Sequence, residues 1–286
     1  LARSYGQQAK SGAQRILSLE GSFHGRTVAG MCLTAQEKMH SGFGDLLQHH
    51  VYLPLNDIDL LEKEFAEHGA DTCAFFMELV QGEGGIHVAD QEYVERVREL
   101  CNEHGVLLIL DEIQTAMGRT GKLFCYENYG IEPDAMTLSK ALGNGFPIGA
   151  IVVAEQFTKY LVRPQHGSTF SGNHIACTAA YEVLRILHTR DVFQNVAALS
   201  EYFFKRLRVF AGQYALIKEV RGLGLHIGME LHAKGPELVS LAREQGLLLN
   251  CTAGQTIRIM PPLNIDMDQA AAGLDVLDQC LGMLQK

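Results

Sequence analysis

No apolar stretch in this 286-residue chain approaches the ~20 residues that cross a bilayer. The longest, Val106 to Leu110 (VLLIL) and Ala150 to Ala154 (AIVVA), have the length of buried strands, so no membrane partner is expected. Runs of lysine or arginine are missing too. With 24 basic against 33 acidic residues the formal charge is -9, and nothing resembles a stripe that tracks phosphates, so no nucleic-acid partner is expected. None of the seven cysteines forms a CxxC pair, their number is odd, and Cys73, Cys101 and Cys177 sit in apolar patterns that read as core. That usage points to a reducing, cytoplasmic compartment. Repeats, low-complexity tracts and a Gly/Pro-rich linker are absent. The first residues, Leu1 to Lys10, have neither an initiator Met nor an apolar signal core, and are expected to begin mid-domain.

What is present is ordinary globular composition, 47% hydrophobic and 20% charged, at a length that suits one large domain or two smaller ones. Short β-like runs alternate with amphipathic helical stretches. Strands are expected at Arg15 to Leu19, Val51 to Leu53, Cys73 to Leu79, Val106 to Leu110, Ala135 to Leu138 and Ile148 to Val153, with helices over Ile58 to His68 and Tyr93 to His104. The alternation predicts an α/β fold, a mostly parallel sheet with helices on both faces. From Asp191 the pattern changes to a long helix through Phe210, then strands at Ile217 to Val220, Leu225 to Leu231, Leu247 to Asn250 and Thr256 to Ile259, then a last helix from Met267 whose Met and Leu residues read as core. Two domains are therefore expected: residues 1–190, large and cofactor-binding, and residues 191–286, a smaller C-terminal α+β domain.

Ligands of open α/β sheets bind beyond the carboxyl ends of the strands. Three strands here run into polar residues: Leu107 to Leu110 into Asp111-Glu112-Ile113-Gln114, Ala135 to Leu138 into Ser139-Lys140, and Arg15 to Leu19 into Ser22-Phe23-His24-Gly25-Arg26. A desolvated lysine forms an imine with an aldehyde, and a carboxylate opposite keeps a pyridinium nitrogen protonated. That pair is what pyridoxal phosphate requires. Taken singly, Lys140 also reads as a surface lysine, and Asp111-Glu112 as a Walker B pair binding Mg²⁺. The chain contains no GxxxxGK[ST], however, and Gly118 to Lys122 has the wrong spacing. His49-His50 lacks further ligands at metal spacing and reads as a solvated loop, so no metal is expected. Asn250-Cys251-Thr252 matches a glycosylation sequon that a reducing compartment would leave unused.

Five motifs in order, SFHGRT (Ser22 to Thr27), ELVQGEGG (Glu78 to Gly85), LDEIQTAMGRTG (Leu110 to Gly121), SKALGNGFPIGA (Ser139 to Ala150) and HGSTFSGN (His166 to Asn173), resemble the class III pyridoxal-phosphate aminotransferases. The resemblance implies a fold-type I transferase. His24 before Gly25-Arg26, and the short connection from Gly44 to Val51, make it most like the acetylornithine branch of that class. It further implies that Lys140 binds the cofactor as an imine and then serves as the proton-moving base. Asp111 would pair with the pyridine nitrogen, Gln114 with the phenolic oxygen, and Phe23 would stack on the ring, with Glu112 and Ile113 lining the same turn. Thr169 would bind the phosphate of a neighbouring subunit, with Ser168 beside it facing substrate, so a homodimer with shared active sites is expected.

For substrates, the resemblance implies Arg26 as the carboxylate fork, its alternative being an ion pair to a nearby acid, and a Glu83 that covers Arg258 and releases it for 2-oxoglutarate. The expected partners are small amino acids and 2-oxo acids, with N-acetylornithine, ornithine, succinylornithine or 4-aminobutyrate as amino donor. The family's N-terminal segment, with the helix-terminal turn that cradles the cofactor phosphate, is not within the sequence given. The chain as given is thus expected to hold phosphate poorly. A catalytically silent homologue acting as a binding or assembly partner, and an ATPase using the Walker B-like strand, remain as alternatives.

Overall fold

The computed structural model describes residues 1–162 and 164–285, which divide into two compact units. The first comprises Leu1–Leu79, Ala89–Ala116 and Cys125–Ile186; the second comprises Val80–Val88, Met117–Phe124 and the chain from Leu187 onward.

The first unit is built on β1 (Arg15–Leu19), β2 (His50–Leu53), β3 (Thr72–Met77), β6 (Leu107–Asp111), β7 (Ala135–Leu138) and β8 (Ala150–Val153); β4 (Val80–Gln81) and β5 (His87–Val88) form a hairpin in the second unit. The sheet order is β2-β1-β3-β6-β7-β8, parallel throughout except for β8, which runs antiparallel along β7. The expected mostly parallel sheet is thus found. Its central strands are mostly apolar and buried, as strands covered on both faces are. On one face Ile16, Ala74, Leu107, Ile109 and Ala135 pack with Ala2 and Tyr5 of α1 (Ala2–Ala9). On the other, Leu17, Phe75, Leu108 and Leu110 are buried, each such side chain contributing about 1.5–3 kcal/mol relative to exposure.

Two short helices follow β1, α2 (Val28–Leu33) and α3 (Glu37–His40), and two longer ones flank β3, α4 (Ile58–His68) and α5 (Gln91–His104). In α4 the Asp57 side chain accepts the Leu60 N–H at 2.9 Å, satisfying an orphan donor of the first turn. In α5 the buried residues Tyr93, Val94, Val97, Leu100 and Cys101 follow the helical repeat. Gly105, at φ 59°, ends the helix, and the Val106 N–H turns back to the Cys101 carbonyl at 2.8 Å.

In the second unit β9 (Ile217–Leu223), β10 (His226–Leu231), β11 (Asn250–Thr252) and β12 (Thr256–Ile259) form an antiparallel sheet ordered β11-β12-β10-β9. Its core joins Ile227, Met229 and Ile257 to Val196, Leu199, Phe203, Leu207 and Phe210 of α7 (Val192–Gln213) and to Leu274, Leu277 and Leu281 of α9 (Met267–Leu284). Leu238 and Ala242 of α8 (Gly235–Glu244) complete it.

Three local expectations are corrected. The leucine run Leu247 to Asn250 is not a strand: Leu247 donates its N–H to the Ala242 carbonyl at the end of α8, Leu248 is 82% exposed, and the strand begins at Asn250. Cys177 is exposed, unlike buried Cys73 and Cys101, because it lies on an outward face of α6 (His174–Thr189). In α9 the leucines are core, whereas Met267 and Met283 at its ends are exposed. Among the described residues no helix is long and apolar enough to cross a membrane.

Candidate active site

The carboxyl ends of β1, β3, β6 and β7 carry the polar residues of the first unit. Asp111, the last residue of β6, is a buried carboxylate in register with Thr137 of β7; Lys140 stands three residues beyond that partner, at the end of the neighbouring strand. Strands in such a ladder are about 4.8 Å apart. Lys140 is exposed and opens a 3-10 turn, Lys140–Leu142, with φ 42°, a left-handed conformation that a side-chain-bearing residue adopts only when its surroundings impose it. The turn is held by Leu142 N–H to the Ser139 carbonyl at 2.9 Å, and by Gly143 and Asn144 N–H groups to the Lys140 carbonyl at 3.2 Å. The Ser139 hydroxyl donates to the Ile148 carbonyl at 2.7 Å, which ties this turn to the loop leading into β8.

Asp111 is oriented by two partners. Its Oδ1 accepts the Ile113 N–H at 3.1 Å, and its Oδ2 lies 2.9 Å from His24 Nδ1. His24 comes from the turn after β1, with its side chain fully buried. Phe23 is partly buried, its N–H donating to Glu78 Oε2 at 3.1 Å, and Arg26 is exposed, its guanidinium carbon 5.7 Å from the Phe23 ring centroid. That is a cation–π contact. Among the described residues Arg26 has no carboxylate partner, so the ion-pair alternative for it is not found.

Glu112, adjacent to Asp111, binds protein. Its Oε2 accepts the Thr115 hydroxyl at 2.5 Å and its Oε1 the Tyr126 N–H at 3.0 Å. Burial pushes its carboxyl above the usual range, against the pull of those donors. Gln114 follows on the same turn, half-buried. Ser168 and Thr169 lie on an exposed loop ahead of α6.

Glu83 and Arg258, far apart in sequence, are brought together within the second unit: Arg258 Nη1 is 2.7 Å from Glu83 Oε1. The turn carrying Glu83 is gripped by its neighbours. Thr252 Oγ1 donates to the Glu83 carbonyl at 2.8 Å, and Arg221 donates from Nε and Nη2 to the Gly85 carbonyl at 3.1 and 2.6 Å. His24, Glu78 and Arg221 were not singled out from the sequence as site residues; His24 and Glu78 lay inside motifs that could have flagged them, and Arg221 did not.

A family model described as aminotransferase class-III matches residues 1–281 of the chain. The chain belongs to the class-III aminotransferases. It is 43% identical over 288 residues to the acetylornithine aminotransferase of Caldanaerobacter subterraneus subsp. tengcongensis, covering all of this chain and 72% of that protein. Among solved structures, the ornithine aminotransferase of Toxoplasma gondii ME49 matches with a TM-score of 0.94 at 30% identity, over 99% of this aminotransferase and 69% of the other chain. The N-acetylornithine aminotransferase of Stenotrophomonas maltophilia K279a matches with a TM-score of 0.82 at 32% identity, over 99% of this chain and 70% of its own.

The donor set of the first unit fits the cofactor of such enzymes. A buried carboxylate held by two partners suits a protonated ring nitrogen, and a lysine at the next strand end suits an aldehyde carbon. Among the described residues, two buried polar atoms near these strand ends, Thr137 Oγ1 and His24 Nε2, have no hydrogen-bond partner.

Proposed function

We propose that this class-III aminotransferase uses pyridoxal 5′-phosphate to move an amino group from N-acetylornithine, or a related ω-amino donor such as ornithine, succinylornithine or 4-aminobutyrate, to 2-oxoglutarate. The observation that carries the reading is the placement of buried Asp111 and left-handed Lys140 at the carboxyl ends of adjacent parallel strands. When bound, the cofactor would supply an electron sink for the carbanion formed at the substrate carbon that bears the transferred amine.

The chain's residues do the rest. Lys140 would hold the cofactor's aldehyde carbon as an imine and, once substrate has taken its place, would serve as the base that moves the proton of the substrate carbon bearing the transferred amine. Asp111 would keep the ring nitrogen protonated, Gln114 would donate to the phenolic oxygen, and Phe23 would stack on the ring. The Ile113 N–H helps to aim Asp111, while Glu112 holds the turn on which Gln114 sits. Arg26 receives a substrate carboxylate in a planar fork. Arg258 receives the second carboxylate of 2-oxoglutarate once Glu83 lets go.

The enzyme works as a homodimer in which Thr169 serves the phosphate of the neighbouring subunit and Ser168 faces substrate. The exposed apolar side chains of Phe170, Ile175 and Tyr181 support such a contact. Seven unpaired cysteines support a cytoplasmic location.

Borohydride reduction tests the core of the reading. The wild-type protein mixed with pyridoxal 5′-phosphate is expected to retain one reduced cofactor on the peptide containing Lys140, and Lys140→Ala none. Trapping at a different lysine, in either protein, would remove the assignment.

A further inference from the structure

Two arginines flank one glycine in the sheet of the second unit. The register sets Gly228 of β10 opposite Arg258 of β12 on one side and opposite Arg221 of β9 on the other, so the three form a row on one face, the arginines two strand spacings, about 10 Å, apart. The gap between them is filled from the β4–β5 hairpin. A Cβ on Gly228 would stand 2.8 Å from Ile86 Cβ, so the missing side chain is what admits Ile86, which is fully buried. Ile86 sits at φ 60°, a conformation that a β-branched residue adopts only where its surroundings impose it. Its N–H donates to the Gln81 carbonyl at 2.9 Å, closing the turn that carries Glu83.

The two arginines meet that turn in different ways. Arg258 reaches its side chain, Nη1 lying 2.7 Å from Glu83 Oε1. Arg221 reaches its backbone: Nε and Nη2 both donate to the Gly85 carbonyl, at 3.1 and 2.6 Å, while Nη1 lies 2.7 Å from Glu219 and 2.5 Å from Glu230. Every nitrogen of Arg221 is thus engaged within the protein, its charge faces two carboxylates of its own sheet, and its side chain is more deeply buried than that of Arg258. A planar guanidinium that forks onto one carbonyl fixes both distance and direction, which a lysine ammonium cannot do. The approach also needs Gly85, whose φ is 111° and where a Cβ would come within 3.4 Å of Arg221 Nη2.

We propose that Arg221 is a positioning residue for the Glu83–Arg258 pair: by fixing the Gly85 carbonyl two residues beyond Glu83 it sets where the Glu83 carboxylate can reach, and it leaves Arg258, not itself, to receive a substrate carboxylate. The inference rests on Glu83 and Arg258 acting as a switch, and names the residue that keeps the switch in register. A strained turn persists only while its surroundings over-determine it. Without the fork the turn relaxes, Glu83 no longer returns to the same place over Arg258, and the arginine stays open to carboxylates during the amine half-reaction.

Hydrogen exchange and donor selectivity test this together. In the wild type the Ile86 amide should exchange slowly; exchange at the rate of an unstructured loop overturns the proposal, whatever any variant does. Arg221→Lys keeps a positive charge beside Glu219 and Glu230 but loses the fork. It is expected to unfold near the wild-type temperature, to exchange faster over residues 82–86, and to shift selectivity from N-acetylornithine towards glutamate by about threefold or more, the size of one modest hydrogen bond, in the direction expected of Glu83→Gln. The double variant Glu83→Gln/Arg221→Lys should shift it no further than Glu83→Gln alone, because both changes act through one carboxylate. If Glu83→Gln shifts selectivity but Arg221→Lys does not, if the two effects add in full, or if Arg221→Lys impairs both half-reactions equally, Arg221 is a structural residue only. If Arg221→Lys loosens the turn while Glu83→Gln leaves selectivity unchanged, it is the switch reading that fails, and the positioning role with it.

Discussion

The pair Glu83–Arg258 is half open to water, the two side chains being 37% and 19% exposed, and that exposure decides what the pair can do. An ion pair so placed contributes about 0–1 kcal/mol, far less than a dry one, so an incoming carboxylate can displace Glu83 without disturbing the fold. The turn beneath it cannot drift, because Arg221 and Thr252 hold the carbonyls of Gly85 and Glu83. A partly exposed side chain on a turn held by hydrogen bonds suits a group that alternates between covering and releasing Arg258. Glu83→Gln should leave the arginine open to carboxylates and shift selectivity towards donors with a distal carboxylate, such as glutamate, by about tenfold, or ~1.4 kcal/mol. Arg258→Ala should instead raise the KM for 2-oxoglutarate and spare the amine half-reaction. Single-turnover kinetics of each half-reaction checks both; equal damage to both half-reactions in both variants would reduce the pair to a surface contact.

At the scale of elements, the β9–β10 ladder sets Glu219 directly opposite Glu230. Like charges so placed destabilise a sheet unless cations lie between them. Arg221 Nη1 bridges both, 2.7 Å from Glu219 and 2.5 Å from Glu230, and Lys218 Nζ adds a 2.6 Å contact to Glu230. The Lys218 ammonium, with Arg221 behind it, holds the Glu230 carboxyl below the usual carboxylate range. The sign follows from linkage: a carboxyl whose folded pKa is depressed stabilises the fold above its unfolded value of about 4.3, and that stabilisation disappears as pH falls through the folded value. Urea unfolding from pH 7 down to pH 3 should therefore show a shallower acid loss in Glu230→Gln than in wild type. Identical slopes would mean that the cluster contributes nothing through Glu230.

For the whole molecule the question is assembly. Phe170, Ile175 and Tyr181 are 82%, 65% and 66% exposed on one loop-and-helix segment of the first unit, adjoining Ser168 and Thr169. A self-complementary dimer would bury such residues, and with them bring Thr169 to a neighbour's cofactor. Sedimentation equilibrium should find a dimer, with Tyr181→Glu shifting it towards monomer and activity falling in proportion to the dimer lost. A fully active monomeric variant would sink the shared-site reading.

The sequence alone determined the sheet and where polar residues collect at its strand ends. Strands such as Leu107–Asp111 are apolar up to their last residue because they are buried on both faces, and polar residues gather at their carboxyl ends because a parallel strand ends where its crossover begins. Lys140 and Asp111 were legible for that reason. Local pattern failed where burial is decided by distant partners: Leu247 to Leu249 read as a strand yet lie outside one, and Cys177 read as core yet faces out. The contacts that shape the site were hidden for the same cause. Whether His24 reaches Asp111, whether Glu83 meets Arg258 and whether Arg221 grips the Gly85 carbonyl depends on which strands become neighbours. Residue spacing within one strand or helix carries no record of that choice, which only tertiary packing makes.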